Sequence, residues 1–324
     1  MKILVMGSGA VGGYYGAVLA REGHDVIFVA RGEHAAMIES NGLTINSVTS
    51  GNFRLPKVFV KQELDDSFEA ELILYCVKGY SNVEAIKIIE PAVGNSTHIL
   101  TLQNGLGSGD ALEAAFNKAT ILLGATYIDA SLMSPGVINE YGGGCSIVFG
   151  SKNGNTTGRV IEINETMVKA GINSQISEDI MVTLWSKLIL ICALSGMMSI
   201  TRESINQVLL TEDSFNMTKG VIAEAANVGR AMKVDLPENI EEQQIDYLLE
   251  HKEVAVSSMF MDLIRGNPLE IDVLNWAVSR LGKENNIDTP LNDFICSTLK
   301  PYNDRAKAAR LLGQKADFYG SAIT

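Results

Sequence analysis

Cysteine is scarce in this chain of 324 residues. Cys76, Cys145, Cys192 and Cys296 stand far apart, with no C-x-x-C pair. That spacing excludes a disulfide-stapled scaffold and reads as four reduced, structural thiols of an intracellular protein. The four histidines (His24, His34, His98, His251) are scattered, and none sits at metal-ligand spacing, so no metal is expected. Positive charge is in deficit. Lys and Arg number 26 against 38 Asp and Glu, a net charge of −12, which leaves no basic face for nucleic acid or an anionic membrane. Long apolar runs are missing too. The longest, Leu188 to Ile200, is about thirteen residues, is interrupted by Ser195 and Gly196, and falls short of a bilayer span. The few apolar residues before Gly7 do not make a signal peptide. A cytoplasmic protein with no nucleic-acid or membrane partner is therefore expected. What is present, 46% hydrophobic and 20% charged residues, is the composition of a globular protein, and the length suggests two domains.

The first half alternates between strand and helix patterns. Strands are expected at Lys2–Met6, Asp25–Ala30, Leu72–Val77, His98–Leu102 and Ile121–Thr126. Helices are expected at Val11–Glu22, Asn82–Ile89, Asp110–Phe116 and Thr157–Ala170. Such alternation implies βαβ units and a parallel sheet with both faces covered. Glycine-punctuated runs at Val137–Glu140 and Ser146–Phe149 read as short antiparallel strands at one edge of that sheet. From about Ile180 the texture changes. Ile180–Met198 reads as a long apolar helix, too hydrophobic for a surface position and so the buried centre of a second domain. Helical patterns follow at Ser214–Met232, Ile240–Leu249, Lys252–Ile264, Glu270–Asn285 and Leu291–Leu299, with Pro237, Pro268, Pro290 and Pro301 at their boundaries. The fold class is α/β: a Rossmann-type doubly wound domain over 1–178 and an all-helical domain over 179–324.

Gly7-Ser8-Gly9-Ala10-Val11-Gly12 is a G-x-G-x-x-G turn directly after a strand and opening a helix. Gly7 permits the tight turn, Gly9 lets a pyrophosphate approach the backbone, and Gly12 lets helix and strand pack closely. The helix N-terminus adds unpaired N–H groups and a positive dipole end for phosphate. The second strand ends on Arg31 rather than on an acid. A guanidinium there suits a 2′-phosphate, so NADPH is favoured over NADH, with Glu33 left as a partner for an NAD ribose. Two further strand ends carry polar residues: Lys78, suited to the adenosine phosphate, and Asn104, suited to nicotinamide or substrate.

These features together resemble the ketopantoate reductase (2-dehydropantoate 2-reductase) family. The glycine turn, Arg31, Lys78 in Cys-Val-Lys, Gln-Asn-Gly-Leu-Gly at 103–107 and Pro-Gly-Val at 135–137 carry the likeness in the first half. Leu-Trp-Ser-Lys-Leu at 184–188, Ser-Ser-Met at 257–259 with Asp262, and Glu-Ile-Asp at 270–272 carry it in the second. The resemblance implies a C-terminal domain like that of 6-phosphogluconate dehydrogenase and an NADPH-dependent reduction of 2-dehydropantoate to pantoate, a step of pantothenate biosynthesis. It implies that Lys187 is the general acid, that Glu270 supports it beside the cofactor ribose, and that Ser258 binds the substrate carboxylate. It further implies that Asn104 meets nicotinamide and substrate, and that backbone near Ala130 contacts the cofactor. A homodimer is compatible with it.

The chemistry agrees with a lysine in that role. Hydride delivered to a ketone carbon leaves an alkoxide, which needs a proton and a positive neighbour. In an apolar helix, burial lowers the pKa of Lys187, and a carboxylate such as Glu270 moderates the fall. The family usually carries asparagines one and two turns beyond the lysine and three residues before the serine. This chain has Ile191, Ser195 and Ala255 there, with Ser195 left as the polar group facing substrate and Thr201-Arg202 beyond it as a carboxylate clamp. A paralogous reductase of another 2-oxo acid, or a non-catalytic NADPH sensor, are the alternatives.

Overall fold

The computed structural model describes residues 1–65 and 67–317. The chain divides into two compact units, one of Met1–Gln103 with Gly107–Thr183 and one of Asn104–Leu106 with Leu184–Thr324. The first unit holds a ten-stranded mixed sheet. β1 (Lys2–Met6) lies between β2 (Asp25–Val29) and β6 (Leu72–Tyr75), all parallel, with β7 (His98–Thr101) beyond β6 and β5 (Phe59–Lys61) beyond β2. The chain thus leaves β1 toward one side of the sheet and later resumes on the other. That switch is where open α/β sheets bind ligands, outside the carboxyl ends of the strands. β1 and β6 are almost wholly buried, largely apolar runs, and β7 is buried throughout, as strands covered on both faces must be. α1 (Ala10–Arg21) follows β1 through the glycine turn, α2 (Gly32–Asn41) follows β2, and α3 (Asn82–Ile89) follows β6 after a 3-10 turn at Gly79–Ser81. α4 (Ser108–Ala115) follows β7, and α5 (Gly158–Lys169) is capped by the Thr157 hydroxyl.

The glycine-punctuated region differs from expectation. Instead of two short edge strands it forms one strand, β9 (Val137–Gly150), paired antiparallel along β8 (Thr120–Ser134). β9 is interior. β3 (Leu43–Ser47) pairs with its first half and β10 (Asn173–Ile176) with its second, and β4 (Phe53–Leu55) lies outside β3. The glycines act as a bulge rather than as strand ends. Gly142, Gly143 and Gly144 all hold positive φ, and the β8–β9 register shifts between Tyr127 and Ala130.

α6 (Ile180–Thr201), opened by Asp179, whose carboxylate accepts the Met181 and Val182 amides, is from Leu184 onward the central helix of the second unit. At 22 residues it is long and apolar enough, by length and composition alone, to cross a membrane, so the thirteen-residue run underestimates it. Its side chains Trp185, Leu188, Ile189, Cys192, Ala193, Met197 and Met198 are instead buried against protein. Around it stand α7 (Ile205–Leu210), α8 (Glu212–Ala231), α9 (Ile240–His251), α10 (Ser258–Ile264), α11 (Asn275–Glu284) and α12 (Pro290–Leu311). Three expectations need correction. The helix expected from Glu270 begins only at Asn275, after a 3-10 turn at Ile271–Val273. The helix expected from Lys252 begins only at Ser258, because Ser257 turns its hydroxyl onto the Phe260 amide as an N-cap. Pro301 lies inside α12 rather than at its end. Pro301 and Ser297, whose carbonyl loses its helical donor there, are both exposed, so that carbonyl is not buried without a partner in an apolar core. All four cysteines are free thiols.

Candidate active site

The glycine turn is held from below and open above. Gly7 has φ +94°, and a Cβ there would lie 2.9 Å from the Val77 amide, at the end of β6. A Cβ on Gly12 would lie 2.3 Å from the Gly7 carbonyl and 3.0 Å from Cys76 Cβ. Gly9, the residue preceding α1, has nothing within 4 Å of its Cβ direction. The backbone N–H groups of Ala10 and Val11 at the first turn of α1 face the same anion-binding end of the helix. Ser8 is buried and bonds Val29 through both its amide and its hydroxyl, tying the turn to β2. This turn has the shape and polarity that a dinucleotide pyrophosphate requires.

Arg31 precedes α2 and its guanidinium pairs with Glu84 of α3 at 2.6 Å, both side chains well exposed. Lys78 starts the 3-10 turn that follows β6. Ala130 lies in β8, opposite Glu140. Sequence reasoning missed His34, on the unexpected helix α2. Its Nδ1 accepts the Gly136 amide at 3.0 Å, so Nε2 carries the proton and donates to the Ser8 carbonyl at 2.7 Å. It also missed Gln103, whose carboxamide donates to the Val77 carbonyl and to Asn82 Oδ1, joining the ends of β7 and β6. The only signals were a polar residue at a strand end and a histidine one turn past the second strand.

The second unit gathers the other candidates. Lys187 stands on α6, and its ammonium donates to Asn104 Oδ1 at 3.0 Å. Burial pushes its pKa down to about 8, while the charge of Glu270 acts in the opposite direction. Glu270 is buried and precedes a 3-10 turn at Ile271–Val273. The Val273 carbonyl accepts the Leu106 amide, and the positive φ of Gly105 lets the chain pass where a Cβ would lie 2.1 Å from that carbonyl. A turn after one strand, a central helix and a 3-10 turn thus converge on one ammonium. The two serines separate. Ser258 is exposed at the start of α10, whereas Ser195 is buried and accepts a hydrogen bond from Ser257 Oγ at 2.8 Å. Arg202, in the left-handed region at φ +64°, ends α6. Among the described residues no group of three His, Cys, Asp or Glu side chains is placed to hold a metal ion.

The arrangement matches a known architecture along nearly the whole chain. The family model for ketopantoate reductase PanE/ApbA matches residues 3–154, and that for its C-terminal domain matches residues 179–303. The chain belongs to the ketopantoate reductase family. It is an oxidoreductase of that family, whose members are dinucleotide-binding enzymes. A 2-dehydropantoate 2-reductase of Mesorhizobium japonicum is 28% identical over 323 residues, covering 93% of this chain and 97% of the relative. The crystal structure of a PanE/ApbA family ketopantoate reductase from Ralstonia eutropha JMP134 superposes with a TM-score of 0.86 at 30% identity, covering 95% of this chain and all of that one. A D-mandelate dehydrogenase solved with NADH and anilino(oxo)acetate has a TM-score of 0.85 at 23% identity, over 95% of this chain and 99% of that one, a likeness of fold alone. Within this ketopantoate reductase family member, the N-terminal family model covers the glycine turn, Arg31, Lys78 and Asn104, and the C-terminal model covers Lys187, Ser258 and Glu270.

Proposed function

We propose that the protein reduces a 2-oxo acid to the 2-hydroxy acid with NADPH, with 2-dehydropantoate as the first substrate to test. The observation that carries this reading is the Lys187 ammonium, desolvated on an apolar helix, bonded to Asn104 and balanced by Glu270. Bound NADPH would supply a hydride to the carbonyl carbon, forming a C–H bond as the C=O π pair moves onto oxygen. The Lys187 ammonium donates its proton to that oxygen, completing the hydroxyl, and is reprotonated from solvent. A proton donor with a pKa near 8 holds its proton at neutral pH yet releases it to an alkoxide readily. Asn104 orients the ammonium, and Glu270 keeps it charged despite its burial. The Gly7–Gly12 turn would hold the pyrophosphate, and Arg31 with Lys78 the 2′-phosphate. Backbone near Ala130 would line the cofactor, and Ser258, exposed at the start of α10, would take the substrate carboxylate.

A second reading, reduction of a different 2-oxo acid, is favoured by Ile191, Ala255 and the engaged Ser195. A substrate hydroxyl buried without its carboxamide partner costs roughly 1–3 kcal/mol. A panel of 2-oxo acids, followed by NADPH absorbance, tests both readings. Turnover with 2-dehydropantoate well above the rest supports the first, and preference for an acid lacking its hydroxyl supports the second. No NADPH oxidation with any acid, in a protein that binds NADPH, leaves a sensor and overturns both. The same assay in the reverse direction, with 2-hydroxy acids and NADP⁺, guards against a wrong choice of direction.

A further inference from the structure

The segment that carries Glu270 is pinned at both ends by buried carboxamides that the reaction itself does not use. At its start the Leu269 amide donates to Asn303 Oδ1, from α12, at 2.8 Å. At its end Asn275, wholly buried at the start of α11, donates through Nδ2 to the Cys192 carbonyl of α6 at 3.1 Å and to Asn292 Oδ1 at 2.9 Å. Two acceptors around one nitrogen fix which way the amide points. Asn292, also wholly buried, donates to Glu224 Oε2 at 2.8 Å. The Glu224 carboxylate in turn accepts the Leu291 and Asn292 amides, at 2.8 and 2.9 Å, where α12 begins behind Pro290. A carboxylate is favoured at a helix N-terminus. One hydrogen-bonded chain therefore runs from Glu224 on α8, through Asn292 and Asn275, to the backbone of α6 five residues beyond Lys187.

Space for this chain is reserved. A Cβ on Gly196 of α6 would lie 3.1 Å from Asn275 Nδ2 and 2.9 Å from Ile295 Cδ1, so a residue without a side chain lets the carboxamide reach the helix backbone. Apolar side chains would fill the same volume without the cost of desolvating two amides, but they would not specify one position for the backbone they hold. Between the two pins, the segment presents Glu270 and the Val273 carbonyl, and that carbonyl holds the Asn104–Leu106 turn through the Leu106 amide. The groups set by the segment are the ones that act on Lys187: the Glu270 charge and the Asn104 hydrogen bond.

We propose that Asn275 is a positioning residue, which fixes the 269–275 segment on α6 and so sets how the Glu270 carboxylate and the Asn104 carboxamide meet the Lys187 ammonium. The proposal rests on the reading of Lys187 as proton donor, but its test does not need turnover. The lysines of the full chain are reductively methylated with ¹³C, the Lys187 signal is identified by its loss in Lys187→Arg, and its titration is followed by NMR. In Asn275→Ala the Glu270 carboxylate draws away, and the proton affinity of Lys187 falls about threefold or more. In a Glu270→Gln background the same substitution moves the midpoint less, because only the Asn104 contact is left to change. Where 2-oxo acid turnover is measurable, kcat falls about tenfold while KM for NADPH stays put. A folded Asn275→Ala protein whose Lys187 titrates at the parent midpoint overturns the proposal. Where Asn275→Ala does not fold, Asn275→Ser, which keeps one donor, is read the same way, and an unmoved midpoint overturns it equally. An enzyme inactive toward every acid sinks the proposed function and leaves this titration to decide the role of Asn275 by itself.

Discussion

At the scale of single residues, the proposed chemistry depends on one ammonium whose pKa burial pushes down to about 8. Its sign makes a definite pH dependence. If Lys187 is the donor, reduction consumes the protonated form, so kcat/KM for the oxo acid should be flat below about pH 8 and fall about tenfold per pH unit above it. Oxidation of the hydroxy acid needs the neutral amine and rises over the same interval. Initial rates in both directions check this, and a reduction rate that climbs through pH 8 excludes Lys187 as the donor. Lys187→Ala should lower kcat by about 10²–10⁴-fold with NADPH affinity intact, as read by fluorescence titration. Arg31 is a separate case. Its ion pair with Glu84 is exposed, and such pairs contribute roughly 0–1 kcal/mol, so a phosphate can draw the guanidinium away. Arg31→Ala should therefore raise KM for NADPH about tenfold or more and leave KM for NADH nearly unchanged. An equal rise in both would assign Arg31 to the surface alone. Legibility at this scale was uneven. Lys187 stood out as the one charge in an apolar run, but the pattern alone suits a lysine that snorkels to solvent, and only the family resemblance made it the candidate acid. Asn275 and His34 did not stand out, because a carboxamide or an imidazole acquires its role from backbone groups distant in sequence.

At the scale of elements, the strand–turn–helix at the N-terminus could be read almost to the residue, because β1 and its glycine spacing are local features. The interior position of β9 could not. It depends on β3 and β10, short and partly polar strands, the first of which pairs with Val137–Glu140 from Thr44–Ser47, far away in sequence. Helix ends failed where a side chain overrode the pattern, as Ser257 does for α10. The glycine turn allows packing and ligand binding to be tested apart. Gly12→Ala places a methyl group 2.3 Å from the Gly7 carbonyl, and should cost about 1–3 kcal/mol through overpacking of α1 on β1. Gly9→Ala meets no protein atom within 4 Å, so the melting temperature should hold while dinucleotide affinity drops. Thermal unfolding beside a binding titration separates the two. A Gly9→Ala protein with full NADPH affinity would show that no pyrophosphate rests on that backbone.

At the scale of the whole molecule, the two candidate sites fall in different compact units. The glycine turn, Arg31 and Lys78 belong to the first, and Asn104, Lys187 and Glu270 to the second. Cofactor affinity and proton donation should then respond to different substitutions. A ligand that binds only the native state stabilises it by RT ln(1 + [L]/Kd), about 2.7 kcal/mol at a hundredfold excess over Kd. NADPH should raise the melting temperature of the parent and of Lys187→Ala by similar amounts, since the removed ammonium belongs to neither the glycine turn nor the Arg31 and Lys78 pair proposed to hold a 2′-phosphate. It should raise that of Gly9→Ala little. In the converse measurement, the Lys187 titration should survive Gly9→Ala unchanged, because burial on α6 and the charge of Glu270 set it, and both lie in the second unit. Loss of NADPH stabilisation in Lys187→Ala would mean that the ammonium helps hold the cofactor, and the division of labour between the two units would have to be redrawn.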